Sequence, residues 1–155
     1  IDFHHGNGTQ DLFWRDGKVF TASIHGDPAE FYPYFQGLES EQGAARGVGT
    51  NLNVALPRGT DGATWLGALD RVVLPRVRAF GPASLVVCAG LDGYKKDPVG
   101  GWALETADFA AAGERLGRLG LPTVVVQEGG YYTPHLGRNL TALLHGLRAG
   151  QAATR

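Results

Sequence analysis

The chain is predicted to fold as an α/β domain with a mainly parallel sheet, and three observations point there. Ser84–Ala89 and Thr123–Val126 are short apolar runs with the length and composition of strands buried on both faces. Amphipathic stretches with helical spacing alternate with them. Chemically active, glycine-rich sequence follows each strand end, which is where parallel sheets bind their ligands.

The elements follow in order. Asp2-Phe3-His4 reads as the end of a strand, with Gly6 and Gly8 allowing a tight turn just beyond it. A β-type run at Lys18–Ile24 is entered through a turn at Asp16-Gly17. A long loop is expected from His25 to about Gly49, and loops of that length are often functional. Asn51–Leu56 alternates polar and apolar residues as a strand does, and Pro57 and Gly59 end it. Ala63–Phe80 carries a helical stripe of Trp65, Leu69, Val72, Val73, Val77 and Phe80, with a kink or break expected at Pro75. Thr106 is the expected cap of a helix over Ala107–Leu119, with Phe109, Ala112, Leu116 and Leu119 facing inward. A last helix is expected from near His135, with Leu140, Leu143, Leu144 and Leu147 on its apolar face.

The 155 residues suit one domain, and 43% hydrophobic with 19% charged residues favour a folded globule. A net charge of −1 gives no broad attraction to nucleic acid or to an anionic membrane. Cys88 is the single cysteine, so no internal disulfide forms, as a reducing, cytoplasmic setting allows. No apolar run approaches the roughly 20 residues of a membrane-spanning helix.

Three strand ends hold the chemistry. Asp2 and His4 are two residues apart, so in extended backbone their side chains leave on one side, and a carboxylate with an imidazole is a zinc-binding pair. Gly90-Leu91-Asp92 follows the first buried run, and Gln127-Glu128-Gly129-Gly130-Tyr131 follows the second. Taken singly, each is an ordinary turn or packing motif. If the three ends are neighbours, Asp92 completes an Asp–His–Asp site with an open position for water and substrate, and Tyr131 stands beside it.

These motifs together resemble the zinc-dependent histone deacetylase superfamily. The likeness is carried in order by Asp2-Phe3-His4-His5-Gly6-Asn7-Gly8-Thr9-Gln10, Ser23-Ile24-His25, Phe31-Tyr32-Pro33, Leu56-Pro57-Arg58-Gly59-Thr60, Gly90-Leu91-Asp92 through Asp97-Pro98, and Glu128-Gly129-Gly130-Tyr131. Ser23–Glu30 followed by Tyr34-Phe35 looks most like the bacterial acetylpolyamine amidohydrolases. The resemblance implies the C-terminal part of an arginase/deacetylase-type three-layer α/β/α fold and a hydrolase that removes acetyl groups from N-acetylated polyamines or acetyl-lysine. It implies that Asp2, His4 and Asp92 bind zinc (Zn2+), that Tyr131 stabilises the oxyanion, and that Tyr32, Gly129 and Gly130 border the substrate channel. It also implies structural K+ or Na+ sites, one at Asp2, His4, Ser23 and Ile24 and another at Phe13, Asp16 and Val19. His5 is expected to be structural, and His25 and His135 to serve packing or the surface.

The family's general base is the second histidine of a Gly-His-His stretch upstream of the Asp-x-His-His motif, whereas His4-His5 is the single histidine pair in this sequence. The chain is therefore expected to be a single partial catalytic domain, a piece of a longer protein that hydrolyses little alone. Its expected partners are the rest of that domain or a second copy, with an apolar sheet edge left exposed. Two other readings stay open: a non-catalytic module that binds metal and acetylated ligands, and an arginase-like binuclear manganese hydrolase. The latter wants an Asp-x-Asp-x-Asp cluster, which the sequence lacks.

Overall fold

The computed structural model describes residues 1–154. Among them, helix α1 spans Asn7–Phe13, strands β1 and β2 span Thr21–Gly26 and Asn51–Leu56, and helices α2 and α3 span Gly62–Ala68 and Leu74–Phe80. Strand β3 (Leu85–Ala89), helix α4 (Thr106–Gly117), strand β4 (Thr123–Gln127) and helix α5 (Thr133–Ala152) follow.

The strands pair in parallel, as the alternation of strands and helices predicts. β1 lies beside β2 from Thr21↔Asn51 to Gly26↔Leu56. β3 lies beside β4 from Leu85↔Thr123 to Ala89↔Gln127. The first residues of the chain run between the two pairs. The Ile1 amino group donates to the Cys88 carbonyl of β3 at 3.1 Å, and the Gly26 N–H of β1 donates to the Phe3 carbonyl at 2.8 Å. Asp2-Phe3-His4, expected as a strand end, forms no strand and bends at Phe3 and His4; Phe3 is fully buried in the core, while Asp2 and His4 line a cavity.

Phe3 packs edge-on against Phe31 and Trp102, with ring centroids 4.7 and 4.9 Å apart. Trp65 and Phe109, also fully buried, continue this aromatic core beneath the strand ends. The site residues therefore stand on a rigid, apolar floor.

Several expectations need correction. β1 runs from Thr21 to Gly26 rather than from Lys18 to Ile24, so His25 belongs to the strand and not to the loop. Helix α1 has no counterpart in the sequence pattern, because Gly6 and Gly8 stand at its start and the segment carries no apolar stripe; Gln10 is its buried residue. The polar residues of β2, Asn51 and Asn53, are buried. Asn51 and Asn53 each donate to the Gln10 amide oxygen at 2.9 Å, and Glu41 from the long loop accepts from Gln10 at 2.7 Å. α2 and α3 are joined by a π-helical turn at Leu69–Val73, so the break precedes Pro75, which falls in the first turn of α3 where its missing N–H is tolerated.

Thr106 does not cap α4. Glu105 occupies the cap position, its N–H donating to the Asp108 carboxylate at 2.8 Å, and the Thr106 hydroxyl instead donates to Asn139 of α5 at 2.7 Å. α5 begins at Thr133, ahead of His135. The strands β3 and β4 are covered on one face, not two. Val87 and Ala89 are buried, whereas Val86, Cys88, Val124 and Val126 are exposed. Their apolar composition shows that these strands suit burial, and no helix among the described residues packs on that outer face.

α4 and α5 cross with their backbones in contact. A Cβ on Gly113 would run into the Leu143 carbonyl, and one on Gly146 into the Ala110 carbonyl. Small residues at this crossing let the helices approach more closely than side chains allow. No helix among the described residues is long and apolar enough to cross a membrane.

Candidate functional site

The three segments do meet, although only two of them follow strands. One ligand atom each from Asp2, His4 and Asp92 lies within 4.8 Å of the others, and among the described residues this is the one such cluster of three. His4 Nδ1 is 2.9 Å from Asp92 Oδ2 and 3.4 Å from Asp2 Oδ1. Backbone donors fix the other carboxylate oxygens. Phe3 N–H donates to Asp92 Oδ1 at 2.8 Å, His4 N–H to Asp2 Oδ1 at 2.7 Å, and Gly129 N–H to Asp2 Oδ2 at 3.1 Å.

Glycine makes this convergence sterically feasible. A Cβ on Gly129 would stand 2.6 Å from Asp92 Oδ2 and 2.9 Å from Asp2 Oδ2, and one on Gly90 would collide with the Asp2 carboxylate. Only residues without a β-carbon let both turns close around two carboxylates.

The electrostatics are those of a cation site. His4 is raised to about 9 by its hydrogen bonds to Asp2 and then Asp92. Burial pushes the carboxyl of Asp2 up, but hydrogen bonds from the His4 side chain and backbone outweigh it and hold the group below its ordinary value. Asp92, fully buried, is pushed up by burial and then by the neighbouring Asp2 charge. A shared cation relieves that repulsion. Two carboxylates and an imidazole with open space beside them are a donor set that zinc accepts, with a position to spare for a further ligand. The residues present fit such an ion.

Asp2, His4, Tyr32, Gly129 and Tyr131 line one cavity of about 450 Å³. His5, Gly6, Cys88, Val99 and Glu128 complete its wall. Gly130 follows in the turn at φ 135°, a conformation that favours glycine. Tyr131 is half exposed; desolvation, followed by the charges of Asp92, Asp2 and Asp97, pushes its phenol above the usual range, so the hydroxyl keeps its proton. The Tyr32 ring lies 6.4 Å from that of His4.

Of the other predicted residues, His5 is part of the cavity lining, whereas Asp92, Gly130, Ser23, Ile24, Phe13, Asp16, Val19, His25 and His135 are not. The Ser23 hydroxyl is 2.9 Å from His25 Nδ1, and Ile24 is buried beside it on β1. Phe13, Asp16 and Val19 occupy the turn between α1 and β1, where Asp16 N–H donates to the Phe13 carbonyl at 2.9 Å. His25 is fully buried, its Nε2 lying 2.9 Å from the Gly37 carbonyl, and His5 is buried against it with ring centroids 4.5 Å apart. His135 Nδ1 is 2.7 Å from the Tyr94 hydroxyl. Sequence reasoning does not place Cys88, Val99 and Glu128 at the cavity. Cys88 and Glu128 sit at strand ends and Val99 in the loop after β3, positions that carry no residue-type code.

Comparison with known proteins shows the family of the chain. The family model described as "Histone deacetylase domain" matches residues 1–147. The chain is similar to acetylpolyamine amidohydrolase 1 of Pseudomonas aeruginosa, 44% identical over 146 residues that make up 94% of this chain and 42% of that protein. Its likeness to the acetylpolyamine amidohydrolase of Mycoplana ramosa is also 44%, over 95% of this chain and 43% of the relative. The crystal structure of an acetylpolyamine aminohydrolase from Burkholderia pseudomallei superposes with a TM-score of 0.93 at 40% identity, covering 96% of this chain and 43% of that one. The chain thus spans somewhat over two-fifths of the length of these proteins.

Proposed function

The chain belongs to the histone deacetylase domain family, and on that premise we propose that it is the metal-bearing part of a zinc-dependent amidohydrolase that removes acetyl groups from N-acetylated amines. The observation that carries this reading is the convergence of Asp2, His4 and Asp92 within 4.8 Å, beside a cavity that Asp2, His4 and Tyr131 line. The names of the relatives at 44% identity favour an acetylated polyamine over acetyl-lysine as substrate.

Asp2, His4 and Asp92 hold the ion in this reading. A zinc ion held there would supply Lewis-acid polarisation of an acetamide carbonyl and would make water more acidic near neutral pH. Tyr131, its hydroxyl kept protonated, donates a hydrogen bond to the oxygen on which negative charge develops. Gly129 and the Tyr32 ring border the approach to the site, with Gly130 next in the turn. The leaving amine must take a proton before it departs, and the family's Gly-His-His pair is the group expected to give it. Without that pair, turnover by this chain alone is expected to fall by about 10²–10⁴-fold. K+ or Na+ at the carbonyls around Ser23 and Ile24, and at Phe13, Asp16 and Val19, belongs to the same proposal, as does a single partial domain working in the cytoplasm.

Metal analysis tests the reading. The purified chain is expected to hold one zinc per molecule, and Asp92→Ala to lose it while remaining folded. Zinc retained in full by Asp92→Ala refutes the assignment. Zinc binding together with tight binding, but no hydrolysis, of an acetylated amine by the full-length protein points to the non-catalytic module instead.

A further inference from the structure

Asp97 joins the two loops that carry the site. Its Oδ1 accepts from the Val99 N–H at 2.9 Å and the Gly100 N–H at 3.3 Å. Its Oδ2 accepts from the Tyr131 N–H at 2.7 Å and the Tyr132 N–H at 3.0 Å. One oxygen thus serves the loop after β3, the other the turn after β4. The first of these loops is the one that carries Asp92: a Cβ on Gly100 would collide with the Asp92 carbonyl, so the two segments lie in contact. Asp97 is itself anchored there by its own N–H, which donates to the Tyr94 carbonyl at 2.8 Å.

Tyr131 has little else to hold it, being 53% exposed at the cavity mouth. Its place relative to Asp2, His4 and Asp92 is set through its backbone, and Asp97 grips that backbone. We propose that Asp97 is a positioning residue for Tyr131, its carboxylate clamping the Gly129–Tyr132 turn to the Asp92 loop. The catalytic consequence rests on the amidohydrolase reading above, whereas the clamp itself does not. A carboxylate is needed because both oxygens must accept. Asparagine offers one accepting oxygen, and its NH₂ group would face one of the N–H pairs with hydrogens toward hydrogens.

The test places 3-fluorotyrosine at position 131 and follows its ¹⁹F line in this chain, with the same label at Tyr94 as the control. The wild-type line at 131 is expected to be single and narrow, and to shift when zinc is added. Asp97→Asn is expected to broaden or split the line at 131 and weaken its response to zinc, leaving the line at 94 and the zinc stoichiometry unchanged. Amide exchange at Tyr131 and Tyr132 should accelerate by about tenfold or more, as loss of a protecting hydrogen bond permits. Asp97→Glu keeps both acceptors one methylene further out, and is expected to restore a single line at a new position. If Asp97→Asn fails to fold, the shifted line of Asp97→Glu, against an unmoved control, carries the test. An unchanged line at 131 in both variants, or equal changes at 131 and 94, overturns the proposal. A wild-type chain with a narrow line and slow exchange that takes up no zinc refutes the metal reading and leaves the clamp standing.

Discussion

Zinc and a proton compete for one atom. His4 Nδ1 is the nitrogen that faces both Asp2 and Asp92, and those contacts raise the imidazole to about 9. At pH 7 the group lies about two units below that value, so roughly 99% of molecules carry the proton. Each ion taken up at pH 7 must then release about one proton from His4. A histidine at the ordinary value of about 6.5 would release only about a quarter. The apparent zinc affinity should therefore rise by about tenfold per pH unit between pH 6 and 8 and level off above about 9. Asp92, whose carboxyl is pushed up by burial and by Asp2, steepens the acid end further. Isothermal titration calorimetry in three buffers of different ionisation enthalpy counts the protons directly. A count near a quarter at pH 7, or an affinity that changes less than about twofold between pH 6 and 8, refutes a raised His4 as zinc's competitor. The sign reverses for the metal-free chain. A raised His4 contributes stability that is fully present below about 6.5 and lost as pH rises through about 9, so with a chelator the melting temperature should drop between pH 7 and 9.5. His4→Gln should flatten that drop.

Further outcomes follow from the packing and the turns. Phe3→Ala empties the centre of the aromatic core and should cost about 3–5 kcal/mol in urea unfolding. Gly129→Ala puts a methyl group against both carboxylates, so zinc affinity measured by competition with a chromophoric chelator should fall by more than tenfold, about 1.4 kcal/mol or more. Gly146→Ala gains helix propensity of about 1 kcal/mol but strikes the Ala110 carbonyl; overpacking of about 1–3 kcal/mol should prevail, seen as a lower urea midpoint. In the full-length protein Tyr131→Phe should reduce kcat by about 10²–10³-fold with KM little changed, as loss of one oxyanion donor does.

Much of the site is legible in the residues because it follows a period or a rule of topology. The two-residue spacing of Asp2 and His4 points to a shared side, and both line the cavity while Phe3 between them is buried, although the segment bends and forms no strand. Asp92 and Tyr131 can be placed because ligands gather at the carboxyl ends of parallel strands. What stays hidden depends on what covers a face. Asn51 and Asn53 alternate with apolar neighbours, and that period does not tell that a loop residue, Glu41, and a helix residue, Gln10, close over them with hydrogen bonds. Val86 and Val124 have the composition of buried positions and stand exposed, because composition cannot say which faces are covered. Asp97 belongs to a motif that gives it no role, since its partners are main-chain N–H groups that leave no trace in residue type.

The strip Ile1–His4 works as a fastening. It hydrogen-bonds to β1 on one side and to β3 on the other, and it carries two of the three donors. Asp92 lies 88 positions from His4 along the chain. An ion held by Asp2, His4 and Asp92 is then a cross-link that closes a loop of that length, as a disulfide would. Closing a loop of about 90 residues in the unfolded chain is worth on the order of 4–5 kcal/mol. Any unfolding that peels the strip from the strand pairs has to surrender the metal first, and the last event in emptying the site is the first in opening the sheet.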